Sequence, residues 1–289
     1  MSTTSINQDF TNLAKDLGLT LFTEPQIRTI HNAVAVNRSE QSRVSYEKFD
    51  SVISFLHGKF GDNKKPPVSK KEPRSTIRKA YDRAFSIIRK EEEPTIESLS
   101  IRDGYRTMIP TPMSSLNALM DFTELASNKR FNVGHAGNIQ VEILDVENGI
   151  MNPESRKCGI PNFDLALKIS YMNYQNEKVS FKAEIQFPLV GTQKLFKQSR
   201  DAYDEYRTLK NELAVYELAL EENSSIASEE NLQNAMAIRT RTQELQQIRT
   251  DSHDQIREDF GLNKFAEQRN KILSRFQSGG PSLRLVANG

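Results

Sequence analysis

The chain of 289 residues is long enough for one large domain or two small ones with a substantial core. Its 39 basic and 38 acidic residues nearly cancel, so no global field argues for nucleic acid. The single Cys158 excludes an internal disulfide and a cysteine-based zinc site, and the four histidines fall at no metal-ligand spacing.

Three helices are expected first, over 6–17, 25–37 and 44–59. Phe10, Leu13 and Leu17 recur at helical spacing in the first, and Thr23-Glu24-Pro25 opens the second. The third buries Val44, Phe49, Val52, Ile53 and Leu56 and stops at Gly58 and Gly61. A Pro- and Lys-rich linker, 61–73, follows and marks the clearest domain boundary. Beyond it a helix carries Ile77, Tyr81, Phe85 and Ile88 on its apolar side, with Lys71, Arg74, Arg78 and Lys79 crowding its first turn. Cations at a helix start oppose the dipole unless an anion sits there, so this turn is either a phosphate site or a solvated basic face.

Tyr105, Thr107 and Ile109 alternate with Arg106 and Met108, which predicts a strand over 104–110 with Asp103 at its mouth. A helix over 112–128 comes next, then strands at 131–134, 138–146, 163–172 and 178–187, with a Gly-, Pro- and Asn-rich loop at 148–162. In the last strand Val179, Phe181, Ala183, Ile185 and Phe187 face one way, while Lys178, Ser180, Lys182, Glu184 and Gln186 face the other. Glu184 therefore stands on a polar sheet face near a strand end. Its plain alternative is a solvated carboxylate paired with Lys182 or Arg106. From 190 onward the chain reads as helix, roughly 190–222, 228–250 and 252–277, before a tail from Ser278. The run Glu229–Arg249 has only a narrow apolar stripe (Leu232, Met236, Ile238, Leu245, Ile248), as in a coiled hairpin or an arm. The class is α+β with a mixed, mostly antiparallel sheet flanked by N- and C-terminal helices.

Four features recur in one order over roughly 71–207: Lys71-x-x-x-Ser75-x-x-Arg78-Lys79, Asp103 opening a strand, Gly159 heading a loop, and Glu184-x-Gln186. This order resembles the RelA/SpoT-like alarmone synthetases, a branch of the nucleotidyltransferase fold. It looks closest to divergent, toxin-like members that carry a D-x-x-R-Y-T strand start, here Asp103 followed by Arg106 and Thr107, and an E-x-Q-F ending followed by a Y-E-x-x-R helix, here Tyr203–Arg207. The resemblance implies that Lys71, Ser75, Arg78 and Lys79 grip the phosphates of a donor ATP. It implies Asp103 and Glu184 as the catalytic and Mg2+-binding carboxylates, Glu184 working at the acceptor hydroxyl. Arg106, Gly159, Gln186, Lys197 and Arg200 then join the substrate-binding set. Ile160 stands where synthetases carry a guanine-stacking Tyr, and Asp164 where they carry a His, so a guanine acceptor is not implied.

The implied division is an N-terminal helical unit (1–62), a RelA/SpoT-like nucleotidyltransferase domain (63–222), and a C-terminal helical arm with a tail (223–289). The implied function is ATP-dependent pyrophosphate transfer to a nucleotide or an RNA 3′ hydroxyl, as a toxin or effector. The competing expectation is an inactive relative that binds a protein partner, an antitoxin or a host protein, through its helical arms. A third expectation is an RNA-binding module footed on the basic stretch 64–79. No apolar run approaches the ~18 residues of a membrane span and no apolar signal segment opens the chain, which predicts no membrane. The expected place is the cytoplasm, or secretion as an effector without a cleavable signal.

Overall fold

The computed structural model of the chain describes residues 9–42, 45–62, 65–67, 69–70, 73–100, 105–125, 130–134, 138–152, 161–222 and 229–277. Six strands form one mixed sheet: β1 (Ser69–Lys70), β2 (Tyr105–Met108), β3 (Arg130–Val133), β4 (Ile139–Asn148), β5 (Phe163–Met172) and β6 (Lys178–Phe187). Their spatial order is β1-β2-β6-β5-β4-β3. Only β2 and β6 run parallel; the other neighbours are antiparallel. The expected α+β class and mostly antiparallel sheet are both present.

The alternation in the last strand is realised as drawn from the sequence. Phe181, Ala183, Ile185 and Phe187 are buried, while Lys182, Glu184 and Gln186 are half-buried on the opposite face. β5 and β6 occupy the expected residues and are joined by a tight turn. There the Asn173 side chain accepts from the amides of Gln175 and Glu177, and Asn176 takes a left-handed φ of 58°, which Asn tolerates. β4 extends two residues past its expected end, through a register shift between Ile143 and Asp145 that turns Leu144 outward.

Eight helices are found among the described residues: α1 (Asp9–Asp16), α2 (Glu24–Ser42), α3 (Tyr46–Phe60), α4 (Pro73–Ile88), α5 (Leu116–Leu125), α6 (Gln193–Glu222), α7 (Glu229–Asp259) and α8 (Leu262–Gln277). Ser45 caps α3 by accepting from the Lys48 amide at 3.4 Å. α3 ends at Gly61, where an added Cβ would lie 2.4 Å from the His57 ring. Gly58 does not stop it. α7 does not break near residue 250 as expected but continues to Asp259, and the turn comes at Gly261, whose left-handed φ of +60° glycine takes at no steric cost.

Two apolar clusters organise the molecule. The larger lies under the apolar sheet face, which α3 covers with Phe49, Val52, Ile53, Leu56 and Phe60 and α5 with Leu116, Leu119 and Met120. Ile256 of α7 and Leu262 of α8 belong to the same cluster. Arg257, 5% exposed, donates to the carbonyls of Gly149 and Ile150 just after β4 and to the Asn263 side chain. Arg269 of α8 donates to Asn117, Asp121 and Glu124 of α5. Packing therefore runs across the boundaries expected at 62/63 and 222/223. The smaller cluster joins α1, α2 and α4 to Ala214 and Val215 of α6.

Candidate functional site

The parallel pairing of β2 with β6 decides the site. It sets Arg106 opposite Glu184 and Met108 opposite Gln186. On the other side of β6, β5 sets Asp164 opposite Gln186 and Ala166 opposite Glu184. Partners at one register share a face, so Arg106, Glu184, Gln186 and Asp164 converge on the polar face of the sheet. The Gln186 amide nitrogen donates to Glu184 Oε1 at 2.8 Å and lies 3.5 Å from Asp164 Oδ2. Asn162 donates to Asp164 Oδ1 at 2.6 Å, and Asp164 is 6% exposed. One amide thus lies between two carboxylates and fixes the rotamer of Glu184.

Of the two partners that the plain alternative gives Glu184, Lys182 turns to the Ser100 hydroxyl at 3.0 Å, while Arg106 is the residue set opposite Glu184. Arg83 of α4 donates to the carbonyl of the same Ser100. Ser100 therefore ties α4 to the polar sheet face two residues before Glu184.

The basic helix is α4, with Pro73 at its start. Ser75 is exposed. Arg78, expected on phosphate, donates to Thr208 Oγ1 at 2.5 Å and lies 4.0 Å from Asp82. Asp82 is a junction: it accepts from Arg207 through both the Nε and a terminal nitrogen, and from Asn211 at 2.9 Å. Lys79 lines a groove of about 530 Å³ between α4 and α6. Lys197 lines a different groove, of about 430 Å³, between α6 and α7, beside Lys194, Asp201, Glu205 and Arg241. Arg200 is exposed on α6. Lys71, Asp103 and Gly159, with Ile160, lie outside the described residues.

Among the described residues no three His, Cys, Asp or Glu side chains are placed to hold a metal ion. Mg2+ does not require three; it takes one or two carboxylates and completes its shell with water and phosphate oxygens. Glu184, with Asp164 across Gln186, offers oxygen donors of that hard kind.

Two participants escaped the sequence reading. Asp82 and Asn162 each act through partners on other elements, Arg207 and Asn211 for the first and Asp164 for the second. The spacing of Arg78 to Asp82, four residues on a helix, was the one local signal for Asp82. No family model matches the chain, and no curated protein is significantly similar to it.

Proposed function

We propose that the protein is an ATP-dependent pyrophosphate transferase of the RelA/SpoT-like, nucleotidyltransferase-fold type, acting on the hydroxyl of a nucleotide or an RNA 3′ end. The observation that carries this reading is the register of β2 and β6, with Arg106 facing Glu184 and Gln186 holding the Glu184 carboxylate. In this reading the acceptor oxygen attacks the β-phosphorus of ATP, the bond from that phosphorus to the α–β bridging oxygen breaks, and AMP leaves. The acceptor proton passes to Glu184, which orients the hydroxyl and then returns the proton to solvent. Arg106 and Lys79 supply positive charge for the transferring phosphates. Mg2+, held by Glu184 with Asp103, would neutralise phosphate charge.

A second reading has its own observation. Leu232 and Met236 of α7 are 45% and 66% exposed and stand four residues apart, an apolar pair on one side of the helix. It makes the protein a catalytically silent binder of a protein partner. One assay separates the two: incubation with ATP, Mg2+ and a panel of acceptors, read as AMP and pyrophosphorylated product. Product that disappears in Glu184→Gln supports the enzyme; its absence with every acceptor leaves the binder.

A further inference from the structure

A run of hydrogen bonds leads from the corner between α7 and α8 to Glu184. Arg257 starts it: its Nε donates to the Asn263 side chain at 2.7 Å, and its Nη1 to the carbonyls of Gly149 and Ile150 at 3.3 and 3.1 Å. The Gly149 amide in turn donates to the Asn162 carbonyl at 3.0 Å, one pair beyond the last β4–β5 partners, Asn148 and Phe163. Gly149 and Asn162 thus close the base of the connection between those strands. The Asn162 side chain then holds Asp164, and the Gln186 amide stands between Asp164 and Glu184. Arg257, Ile150, Asn162 and Asp164 are all buried, so water has little access to the run.

Arg257 acts here by shape. Its acceptors are two carbonyls and an amide oxygen, all neutral, and these offset the cost of burying a guanidinium less than a carboxylate would. What the guanidinium supplies is a rigid planar fork, which ties α7, α8 and the end of β4 together at once. Phe260, three residues on, packs against the turn that leaves β6, where a Cβ on Gly191 would lie 3.2 Å from its ring. The corner therefore bears on β5 through Gly149 and Asn162, and on β6 through Gly191.

We infer that Arg257 is a positioning residue for Glu184. By fixing Gly149 and Ile150 it sets Asn162, whose side chain sets Asp164 and, through the Gln186 amide, the Glu184 carboxylate. A change at Arg257 is then felt at the acceptor hydroxyl and not at the donor ATP. The inference rests on the transferase reading only for that effect on rate; the connection to Glu184 is independent of it.

The test compares Arg257→Met with Arg269→Met in the full chain. Arg269 is also a buried arginine, but its partners are Asn117, Asp121 and Glu124 of α5, away from the run to Glu184. Asn263→Ala is a milder variant, since Asn263 is exposed and only the Nε acceptor is lost. Circular dichroism sets a temperature at which the variants are folded; if Arg257→Met does not fold, Asn263→Ala carries the same comparison.

NMR then reads the side-chain amides of Asn162 and Gln186, identified by their loss in Asn162→Asp and Gln186→Glu. Both should shift in Arg257→Met, shift less in Asn263→Ala, and stay in place in Arg269→Met. With an acceptor that supports AMP release, kcat should fall several-fold in Arg257→Met with KM for ATP unchanged, and hold its wild-type value in Arg269→Met. Arg257→Lys, which keeps a donor for the carbonyls, should recover part of the loss. Adding Asp164→Asn to Arg257→Met should slow the reaction little further, because the two act in series. Amide signals unmoved in Arg257→Met, the same shifts in Arg269→Met, or equal kcat in those two variants would each overturn the inference. Shifted signals with no AMP release from any acceptor would keep the connection and sink the transferase reading. AMP release with unmoved signals would do the reverse.

Discussion

Arg106 and Glu184 stand at the same register of adjacent parallel strands, on the polar face of a sheet whose other face is core. A cation and a carboxylate side by side at a strand pair's open face can hold a phosphate and an acceptor hydroxyl against each other. The Gln186 bond to Glu184 keeps the carboxylate in place for that task.

Asp164→Asn tests how that carboxylate is held. With its charge gone, Asp164 draws less on the Gln186 amide, and the flanking Asn162 bond weakens. The expected result is a fall in kcat of several-fold with KM for ATP little changed, since the donor is not touched. Gln186→Glu should be more severe, because it puts a third carboxylate where an amide now donates. Steady-state kinetics of both variants check this.

Asp82→Ala removes the acceptor for Arg207 and Asn211 and leaves the Arg207 guanidinium, 28% exposed, without its main partner. The packing of α4 on α6 should lose about 2 kcal/mol, the scale for hydrogen bonds to a charged group. Urea unfolding would show it as a lower midpoint at unchanged slope.

Deleting residues 223–289 should destabilise the whole protein rather than release an independent arm. Ile256 and Leu262 share the core with the sheet, and Ile256→Ala alone should cost about 2–4 kcal/mol. Burial pushes the Arg257 guanidinium below the ordinary arginine range, partly offset by Asp254, yet it remains bonded to two carbonyls after β4. Thermal unfolding of the truncation and of Arg257→Met tests this. A truncated protein as stable as the full chain would restore the arm.

Alkali should weaken the fold. Burial raises the Tyr81 and Tyr105 phenols above 10.0, with Tyr171 adding to the second. A raised pKa means that the native state holds the proton more tightly than the unfolded one, so this contribution is full below pH 10.0 and is lost as pH rises through the folded values. Chemical denaturation between neutral pH and about 11 should show a declining midpoint at the high end.

The strands were legible because alternation is local: the pattern of β6 alone placed Glu184 and Gln186 on a polar face. The pairing of β2 with β6 was not legible, since nothing within either segment specifies a parallel neighbour far along the chain. The role of Asp164 was missed for the same reason; its contact with Gln186 is made across β5 and β6. α7 shows a different limit: the polar run Glu229–Arg249 reads as a coiled hairpin or an arm, and nothing in it announces that the same helix continues to Arg257, buried against backbone carbonyls, and Ile256, which lies in the core. The helix's break followed the left-handed residue Gly261 rather than a change in composition.

The central claim is tested most directly by nucleotide product analysis. Purified protein is incubated with ATP, Mg2+ and, separately, nucleoside di- and triphosphates and RNA with a free 3′ hydroxyl, beside Glu184→Gln. The account predicts acceptor-dependent AMP with a matching pyrophosphorylated product, and at least a hundredfold slower reaction in Glu184→Gln, the scale for a lost general base. No AMP above background with any acceptor, or equal rates in the variant and the wild type, would contradict it.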